Sequence, residues 1–321
     1  MPGKLIVYGD IGMDIFVRVD ALPHRGQDAI AHDIALLPAG SAANCAVVAA
    51  KLGIEVEFVG LTGRDQLAEM LMADLRQSHV GMRHLRQVTG PAAAIIAIVD
   101  AQGERTMLSH RGVSTQSAYG ELAPDLIGPG DCLHLSGYSF QDPISKATAL
   151  ACLAQARQRG ALITLDPSFH FAREFKANHA DALQGIDFIF PNQEEATLMS
   201  GTDDPVAAAM LIRTLGPKTV IIKRGDQGCL IASAHAITHM PAYPVETMVD
   251  TTGAGDAFCG GFLAALLRGA PPAWAAKVGH AAAAQVIGQP GGRTGAPTLA
   301  LIIEYFIRVG EPALAELLGR L

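Results

Sequence analysis

Asp250-Thr251-Thr252-Gly253-Ala254-Gly255-Asp256-Ala257-Phe258 says more about the fold than any other stretch of this sequence, because a glycine-rich turn leads directly into an apolar segment of helical length. The small residues let the backbone curl so that its N–H groups face outward, and the helix start adds the positive end of its dipole. This arrangement predicts an anion site with the carboxylate of Asp256 beside it. The alternative is a glycine-rich turn followed by an acid that only stabilises the helix start.

The segment after this turn contains two adjacent glycines, Gly260 and Gly261, among apolar residues. Glycine weakens an isolated helix, so a pair of glycines inside one indicates close contact with another element. We therefore expect this helix to be packed in the interior rather than solvated.

The chain has 321 residues and a formal net charge of −7, and its Lys and Arg residues form neither a run nor a stripe. This length suits one large α/β domain, and the charge argues against binding of nucleic acids or membrane surfaces. No apolar run reaches the roughly 18 residues that a spanning helix needs, and no secretory signal precedes the first apolar run. We expect a cytoplasmic protein whose partners are small molecules.

The cysteines and histidines give no sign of a disulfide framework or a zinc site. The five cysteines are widely spaced among apolar or small residues, which is typical of buried thiols. They are Cys45, Cys132, Cys152, Cys229 and Cys259. His235 and His239 have the i, i+4 spacing of helical metal ligands, but the segment around them has the pattern of a strand and a turn.

Short apolar segments rich in Val, Ile and Leu alternate with alanine-rich segments of helical length. This alternation predicts a three-layer α/β/α sandwich, in which helices cover both faces of a mainly parallel central sheet. The predicted strands are 5–8, 56–61, 132–135, 161–165, 188–190 and 220–223. The predicted helices are 42–52, 66–78, 143–159, 194–200 and 205–215.

Two segments, 15–37 and 92–110, interrupt the alternation, since both have strand character and neither has a helical pattern. Within the second, apolar runs at 93–100 and 106–108 flank a turn, as in two paired strands. We expect these segments to form a small sheet that stands off the core, inserted into a single domain of residues 1–321.

The stretch 250–258 resembles the second signature of the ribokinase family of carbohydrate kinases, also called the phosphofructokinase B family. Other segments are similar to that family's motifs in the same order along the chain. They are Gly9-Asp10-Ile11-Gly12-Met13-Asp14 with Pro38-Ala39-Gly40-Ser41-Ala42-Ala43-Asn44, then Pro191-Asn192-Gln193-Glu194-Glu195, then Lys223-Arg224-Gly225-Asp226-Gln227-Gly228. The resemblance covers most of the chain. It implies a ribokinase-like fold with the small sheet as a lid, and transfer of the γ-phosphoryl group of ATP to a primary hydroxyl of a sugar or nucleoside.

Phosphoryl transfer to an alcohol requires in-line positioning, neutralisation of charge on the moving group and an acceptor for the hydroxyl proton. Asp256 is the predicted general base, and an ordinary carboxylate pKa suffices for it when the proton moves late in a loose transition state. The backbone N–H groups of Gly253, Ala254 and Gly255 are the predicted anion hole.

Asn192 and Glu195 stand three residues apart at a predicted helix start, where both can face one metal site. Mg²⁺ keeps several waters, so we expect Glu195 to orient it through water. The same spacing is also a helix-capping pattern, which remains an alternative. Asp250 and Thr252 fall where the resemblance implies a monovalent cation, together with backbone carbonyls near Gly291, and an acid with a hydroxyl suits K⁺ or Na⁺.

The nucleotide is predicted to contact Asn192 and the turn that contains Lys223, Arg224, Gly225 and Gly228. The turn is assigned by resemblance and because a strand that ends in a glycine turn lets a ligand approach the backbone. A plain β-turn explains these glycines equally well. His280, on a late helix, falls near the adenine by resemblance, and a solvated helix histidine is the alternative.

The acceptor is predicted to meet Asp14, Gly40, Ser41 and Asn44. Asp14 follows the first strand, at the edge where ligands of such sheets bind, and its carboxylate can accept from two sugar hydroxyls. A turn-forming aspartate is the alternative. Gly40 lets a sugar lie against the main chain, and Asn44 can both donate and accept. Arg111 follows a lid strand and can reach the sugar, or it is simply an exposed strand-end arginine.

Ala39 and Ser41 depart from the ribokinase-type Gly-Gly-Lys-Gly-Ala-Asn, and loss of the lysine argues against ribose itself. A kinase of a sugar acid or sugar phosphate is an alternative, for which Arg25, Arg105 and Arg111 are the candidate cations. A catalytically silent nucleotide- or sugar-binding regulator is another. The Gly-x-Gly-x-x-Gly of dinucleotide-binding dehydrogenases is missing after the first strand. The apolar lid face predicts a homodimer that pairs lid to lid, with a monomer as the alternative.

Overall fold

A computed structural model describes residues 3–115, 118–245 and 247–319. The strands are β1 (Leu5–Tyr8), β2 (Gly12–Arg18), β3 (Asp33–Ala39), β4 (Val56–Thr62), β5 (Gly81–Gln87), β6 (Ala93–Val99), β7 (Arg105–His110), β8 (Cys132–Ser136), β9 (Leu162–Asp166), β10 (Phe188–Ile189), β11 (Thr219–Lys223), β12 (Cys229–Ala232) and β13 (Ile237–Met240). The helices are α1 (Ser41–Lys51), α2 (Gln66–Gln77), α3 (Pro143–Arg159), α4 (Phe169–Asn178), α5 (Gln193–Ser200), α6 (Pro205–Thr214), α7 (Ala254–Leu267), α8 (Pro272–Val286), α9 (Leu299–Arg308) and α10 (Pro312–Gly319). Every predicted strand and helix of the core is present, with ends within one residue of those predicted.

Nine of the described strands form one sheet in the order β13-β12-β11-β10-β9-β8-β1-β4-β5. The strands from β11 to β5 in this order are parallel, and β12 and β13 form an antiparallel ribbon at one edge. Side chains of β1 alternate between two cores, since Leu5 and Val7 pack on one face and Ile6 and Tyr8 on the other. This alternation confirms the predicted three-layer sandwich.

Helices cover both faces of this sheet. Buried residues of α1, α2, α7, α8, α9 and α10 belong to one core, and those of α3, α4, α5 and α6 belong to the other. On α7, a Cβ at Gly260 would lie 2.7 Å from the carbonyl oxygen of Cys45 in α1, and one at Gly261 would lie 2.8 Å from that of Val278 in α8. The predicted close packing is confirmed, because the paired glycines let two helices approach α7 on different sides.

A second, small sheet has the strand order β3-β2-β6-β7. It combines segments 15–37 and 92–110, which interrupt the alternation of strands and helices in the sequence. Parallel pairing of β2 with β6 joins them, while β3 and β7 pair antiparallel on the outside. The strands extend beyond the predicted segment 15–37, because Gly12 already pairs with Ala39 and Ala93. Asp14 therefore lies within β2 rather than in the connection after β1, which corrects its predicted position.

All five cysteines are free and buried, as predicted. Across the described ranges, every helix is too short or too polar to cross a membrane.

Candidate active site

The predicted site residues gather at the carboxyl ends of parallel strands, where ligands of open α/β sheets bind. Asp166 is the last residue of β9, and Lys223 is the last residue of β11. Only β10 separates these two strands in the sheet, so their terminal side chains can meet. The turn before α7 approaches the same edge.

The turn before α7 has the backbone shape that the sequence predicts. Gly253 has a φ of 74°, in the left-handed region, and a Cβ there would lie 2.2 Å from the carbonyl oxygen of Gly292, so only glycine fits. No side chain of the described residues caps α7, which leaves first-turn N–H groups, such as that of Gly255, for a ligand. The N–H of Ala254 instead donates to the Thr251 carbonyl at 3.2 Å, so it is already engaged.

Asp256 lies in the first turn of α7 and is held by two residues from the N-terminal half of the chain. Ser41 Oγ donates to its Oδ1 at 2.7 Å, and Asn44 Nδ2 donates to its Oδ2 at 2.8 Å. Burial, and to a smaller degree the neighbouring Asp166 carboxylate, raises the pKa of Asp256 to about 7, although both hydrogen bonds lower it. A carboxylate with this pKa is suited to accept a proton near neutral pH.

Asp14 is buried where the small sheet meets the core. Its Oδ1 has no hydrogen-bond partner among the described residues. Burial raises the pKa of Asp14 to about 6, Arg293 and Arg111 lower it, and two neighbouring aspartates raise it. A buried carboxylate oxygen without a donor is unfavourable, so a ligand hydroxyl that donated to it would be stabilising.

Arg111 is not a solvated strand-end arginine. Its guanidinium carbon lies 4.8 Å from the ring centroid of Tyr138, a cation–π contact. Both side chains line a small cavity together with Asp10. The cavity adjoins the end of the first strand, and Arg111 is the one predicted acceptor residue that lines it.

The backbone requires glycine at position 40, apart from the predicted approach of a sugar. It has a φ of 105°, and a Cβ there would lie 2.6 Å from the carbonyl oxygen of Asp10. The Asp10 carboxylate accepts from the N–H groups of Ser41 at 2.9 Å and Ala42 at 3.2 Å. These contacts fix the start of α1, and with it the side chains that hold Asp256.

Lys223 lies against the first turn of α7. Its Nζ is 2.6 Å from Asp166 Oδ1 in a nearly buried ion pair. A Cβ on Gly255 would be 3.0 Å from the same ammonium. Three carboxylates, those of Asp166, Glu195 and Asp256, therefore share one lysine, which leaves the cluster with an excess of negative charge.

Asn192 and Glu195 form the capping box that was the alternative to a metal site. Glu195 N donates to Asn192 Oδ1 at 2.8 Å, and Asn192 N donates to Glu195 Oε2 at 2.8 Å. Glu195 is also nearly buried, and burial raises its pKa to about 8, with Lys223 opposing and Asp166 adding to the shift.

This acidic surrounding fits a divalent cation, whose charge would stabilise the ionised carboxylates. The described residues include no group of three or more His, Cys, Asp and Glu side chains that could hold a metal alone. A bound Mg²⁺ would thus take most of its ligands from phosphate and water, as Mg²⁺ commonly does.

A pocket of about 760 Å³ opens beside the first turn of α7. Of the residues predicted to bind nucleotide, its lining includes Asn192, Lys223, Gly225, Gly228 and His280. His280 is buried rather than solvated, its ring centroid lies 4.9 Å from that of Phe258, and burial lowers its pKa to about 4, which keeps it neutral. Arg224 does not line this pocket and instead contacts Gln227.

Asp250, Thr252 and Gly291 converge as predicted, but protein donors surround the carboxylate. Gly291 N donates to Asp250 Oδ2 at 2.9 Å, and Thr252 donates to Oδ1 from its N at 2.9 Å and its Oγ1 at 2.7 Å. Arg105 Nη2 also donates to this Oδ1 at 2.9 Å, and its Nη1 donates to Thr252 Oγ1 at 3.1 Å. Burial acts to raise the pKa of Asp250, but these hydrogen bonds outweigh it and lower the pKa.

Two charged residues of the site are absent from the sequence-based prediction. Asp166 directly follows the predicted strand 161–165, and its position before a proline is the only local signal. Arg293 is buried, with its Nη2 2.7 Å from Asp74 Oδ2. Its Nη1 donates to the Ala39 carbonyl at 3.3 Å and to Asn44 Oδ1 at 3.5 Å, which orients the amide of Asn44 toward Asp256.

Comparisons with known proteins give matches over most of the chain. The family model for pfkB family carbohydrate kinases matches residues 3–299. A fructokinase from Klebsiella pneumoniae is 31% identical over 299 residues, which cover 90% of this chain and 92% of that protein. The crystal structure of a ribokinase from Thermotoga maritima is similar with a TM-score of 0.78 and 28% identity, over 95% of this chain and 99% of that one. Aminoimidazole riboside kinase from Salmonella enterica, solved with aminoimidazole riboside and an ATP analogue, is similar with a TM-score of 0.80 and 25% identity, over 94% of this chain and 99% of that one.

Proposed function

This chain belongs to the pfkB family of carbohydrate kinases, which are phosphotransferases with an alcohol acceptor, and we propose that it transfers the γ-phosphoryl group of ATP to a primary hydroxyl of a sugar or nucleoside. The position of Asp256 carries the proposal. Its carboxylate, with a pKa raised to about 7, lies in the uncapped first turn of α7 and touches both Ser41 and Asn44. One carboxylate thus links the predicted phosphate side of the site to the predicted acceptor side.

The reaction would proceed by attack of the acceptor oxygen on the γ-phosphorus. The acceptor's O–H proton would pass to Asp256 while the bond to the β,γ-bridging oxygen breaks and ADP leaves. Free N–H groups at the start of α7 and the ammonium of Lys223 beneath them would stabilise the charge on the transferred group. Mg²⁺, bound with the nucleotide near Glu195, would supply further neutralisation of the phosphate charge.

The acceptor would lie between the small sheet and α1. Asp14 supports this location, because its buried Oδ1 needs a donor that the described residues do not supply. Ser41 and Asn44 would orient the reacting hydroxyl toward Asp256, since both already contact that carboxylate. Asp14 and Arg111 approach from the small sheet, which would act as a lid that excludes water and suppresses hydrolysis of ATP.

The outer face of the small sheet supports the proposal of a homodimer that pairs lid to lid. Ile34, Leu36 and Leu108 are large apolar side chains of its two outer strands; the strand register puts them on one face, and all three are exposed. Such a patch is typical of a contact surface.

The kinase proposal is tested by measuring ADP release from MgATP in the presence of sugars, sugar acids, sugar phosphates and nucleosides. We expect at least one sugar or nucleoside to stimulate ADP release strongly, and we expect the stimulation to disappear without Mg²⁺. A panel in which no acceptor stimulates ADP release, while one of them raises the unfolding temperature, would support a binding protein instead.

A further inference from the structure

The hydrogen-bond donors around Asp250 determine which of its oxygens could bind a monovalent cation at the loop before α7. A K⁺ or Na⁺ ion needs oxygen atoms that face it with free lone pairs. Oδ2 of Asp250 accepts from Gly291 N, and Oδ1 accepts from both Thr252 donors and from Arg105. The hydroxyl of Thr252, the second expected ligand, accepts from Arg105 Nη1. A monovalent cation bound by Oδ1 of Asp250 and the Thr252 hydroxyl would therefore have to displace the Arg105 guanidinium.

We propose that the Arg105 guanidinium takes the place of a monovalent cation at the loop before α7, so that the enzyme works without K⁺ or Na⁺. The guanidinium and a K⁺ or Na⁺ ion each carry one positive charge, so the loop has the same net charge with either of them. The guanidinium adds direction, because its planar fork donates to Asp250 and Thr252 at the same time. Arg105 is a positioning residue, since it acts through Asp250 on the turn that contains Gly253.

The small sheet holds Arg105 in this position. Arg105 is the first residue of β7 and pairs with Val99 of β6. Its guanidinium carbon lies 6.0 Å from the ring centroid of Phe16 on β2, within the range of a cation–π contact. A solvent ion would bind whatever the position of the small sheet, whereas Arg105 reaches Asp250 only while that sheet is docked. Docking of the sheet and the shape of the anion-binding turn are thus coupled.

The decisive experiment compares the wild type with Arg105→Ala in potassium chloride and in N-methyl-D-glucamine chloride at equal ionic strength. Only its activity arm rests on the proposed function, and it uses the acceptor found in the panel. We expect the wild type to have equal rates in the two salts. Arg105→Ala should be slow in N-methyl-D-glucamine and recover by at least about 5-fold in potassium, the lower end of typical coupling between two sites.

Thermal unfolding gives a second readout that needs no acceptor. Potassium should raise the unfolding temperature of Arg105→Ala specifically, because an ion that binds only the folded state stabilises it. The wild type should unfold at the same temperature in both salts. Arg83→Ala is the matched control, since Arg83 lies on the surface and pairs only loosely with Asp125 at 3.8 Å. It should behave as the wild type does.

Three outcomes would overturn the proposal. One is a wild type that is activated or stabilised by potassium. Another is an Arg105→Ala variant that matches the wild type in both salts. The third is an Arg105→Ala variant that is impaired in both salts and gains no potassium-specific stabilisation, which indicates a purely structural arginine. If the panel yields no acceptor, the thermal readout still decides this proposal separately from the kinase proposal.

Discussion

Asp250 precedes the turn that leads into α7, and Asp256 lies six residues later in the first turn of that helix, yet their surroundings act on the pKa of the two carboxylates in opposite directions. Burial, and to a smaller degree the nearby Asp166 carboxylate, raises the pKa of Asp256 to about 7, although the two neutral side chains that donate to it lower the pKa. Asp250 accepts from two backbone N–H groups, a hydroxyl and a guanidinium, so its pKa falls. The first carboxylate can exchange a proton near neutral pH, and the second is a fixed negative charge. Environment rather than residue type therefore assigns the two roles.

The partners of these carboxylates also come from different parts of the fold. Ser41 and Asn44 belong to α1, which packs against α7 in the core, so the surroundings of Asp256 are rigid. Arg105 belongs to the small sheet and its side chain is 40% exposed, so the surroundings of Asp250 depend on a peripheral element. Changes at Asp256 should affect the chemical step, and changes at Asp250 should affect the shape of the loop.

Asp256→Asn should have the largest effect. The amide has nearly the same shape but cannot take the acceptor proton, so turnover should fall by about 10²- to 10⁴-fold. Stability should be retained, because the substitution removes a carboxylate whose ionised form is disfavoured by burial. Steady-state ADP release and thermal unfolding measure the two effects. Asp125→Asn, at an exposed acid, is the control and should keep full activity. Turnover of Asp256→Asn within a few-fold of the wild type would rule out Asp256 as the base.

Lys223→Met should cause the next largest effect, because it leaves Asp166 buried without its counter-charge. Breaking a buried ion pair from one side costs about 3–5 kcal/mol of unfolding free energy. The pKa of Asp256 should also rise, since Lys223 lowers it. Lys218→Met is the matched control, because Lys218 also pairs with an aspartate, at 2.7 Å, but its side chain is 72% exposed. Lys218→Met should lose about 0–1 kcal/mol of unfolding free energy. Equal losses in urea unfolding of the two variants would contradict this account of Lys223.

The pH dependence of kcat/KM should show whether Asp256, rather than Asp250, titrates near neutral pH. Because Asp256 must be ionised to accept a proton, kcat/KM should rise to a plateau above about pH 7 and fall by about tenfold for each pH unit below it. Asp14, with a pKa of about 6, should steepen the loss at lower pH. A profile that is flat from about pH 5 to about pH 9 would be incompatible with Asp256 as the titrating base.

Asp256 and Asp250 should contribute to the pH dependence of the unfolding free energy with opposite signs. Since the pKa of Asp256 is raised in the folded state, its contribution is fully present below the ordinary 3.8 and is lost as the pH rises through about 7. Asp250 has a lowered pKa, so its contribution is present above 3.8 and is lost only as the pH falls further.

The sequence predicts the core of the fold well because its signals are local. Segment 5–8 is short and apolar, as expected of a central strand, and the glycine at 253 has the left-handed backbone that its turn requires. The sequence-based prediction lacks β5, α4, α9 and α10. β5 is an edge strand with polar residues, and α4 begins directly after a proline-containing turn. Short segments of mixed polarity give weak periodic signals.

Within the site, the sequence identifies the residues better than it identifies their contacts. Ser41 and Asp256 are both predicted site residues, but the bond between them spans 215 positions and leaves no local pattern. From the sequence, Arg105 is a candidate cation for an anionic acceptor, because nothing near it in sequence indicates that its partner is Asp250, 145 positions away. The raised pKa of Asp256 was likewise not predicted, because it depends on burial, which only the assembled fold determines.

The smallest effect, and the sharpest comparison, should come from two hydroxyls that donate to these carboxylates at the same distance. Ser41 Oγ donates to Asp256 at 2.7 Å, and Thr252 Oγ1 donates to Asp250 at 2.7 Å. Ser41→Ala and Thr252→Val should each lose about 1 kcal/mol of hydrogen-bond free energy. Only Ser41→Ala should shift the pH profile, toward higher pH, because its bond lowers the pKa of the carboxylate that titrates near neutrality. Thr252→Val should keep the wild-type midpoint, since Asp250 stays ionised over that range. A shifted midpoint in Thr252→Val, or an unshifted one in Ser41→Ala, would reverse the roles assigned to the two carboxylates.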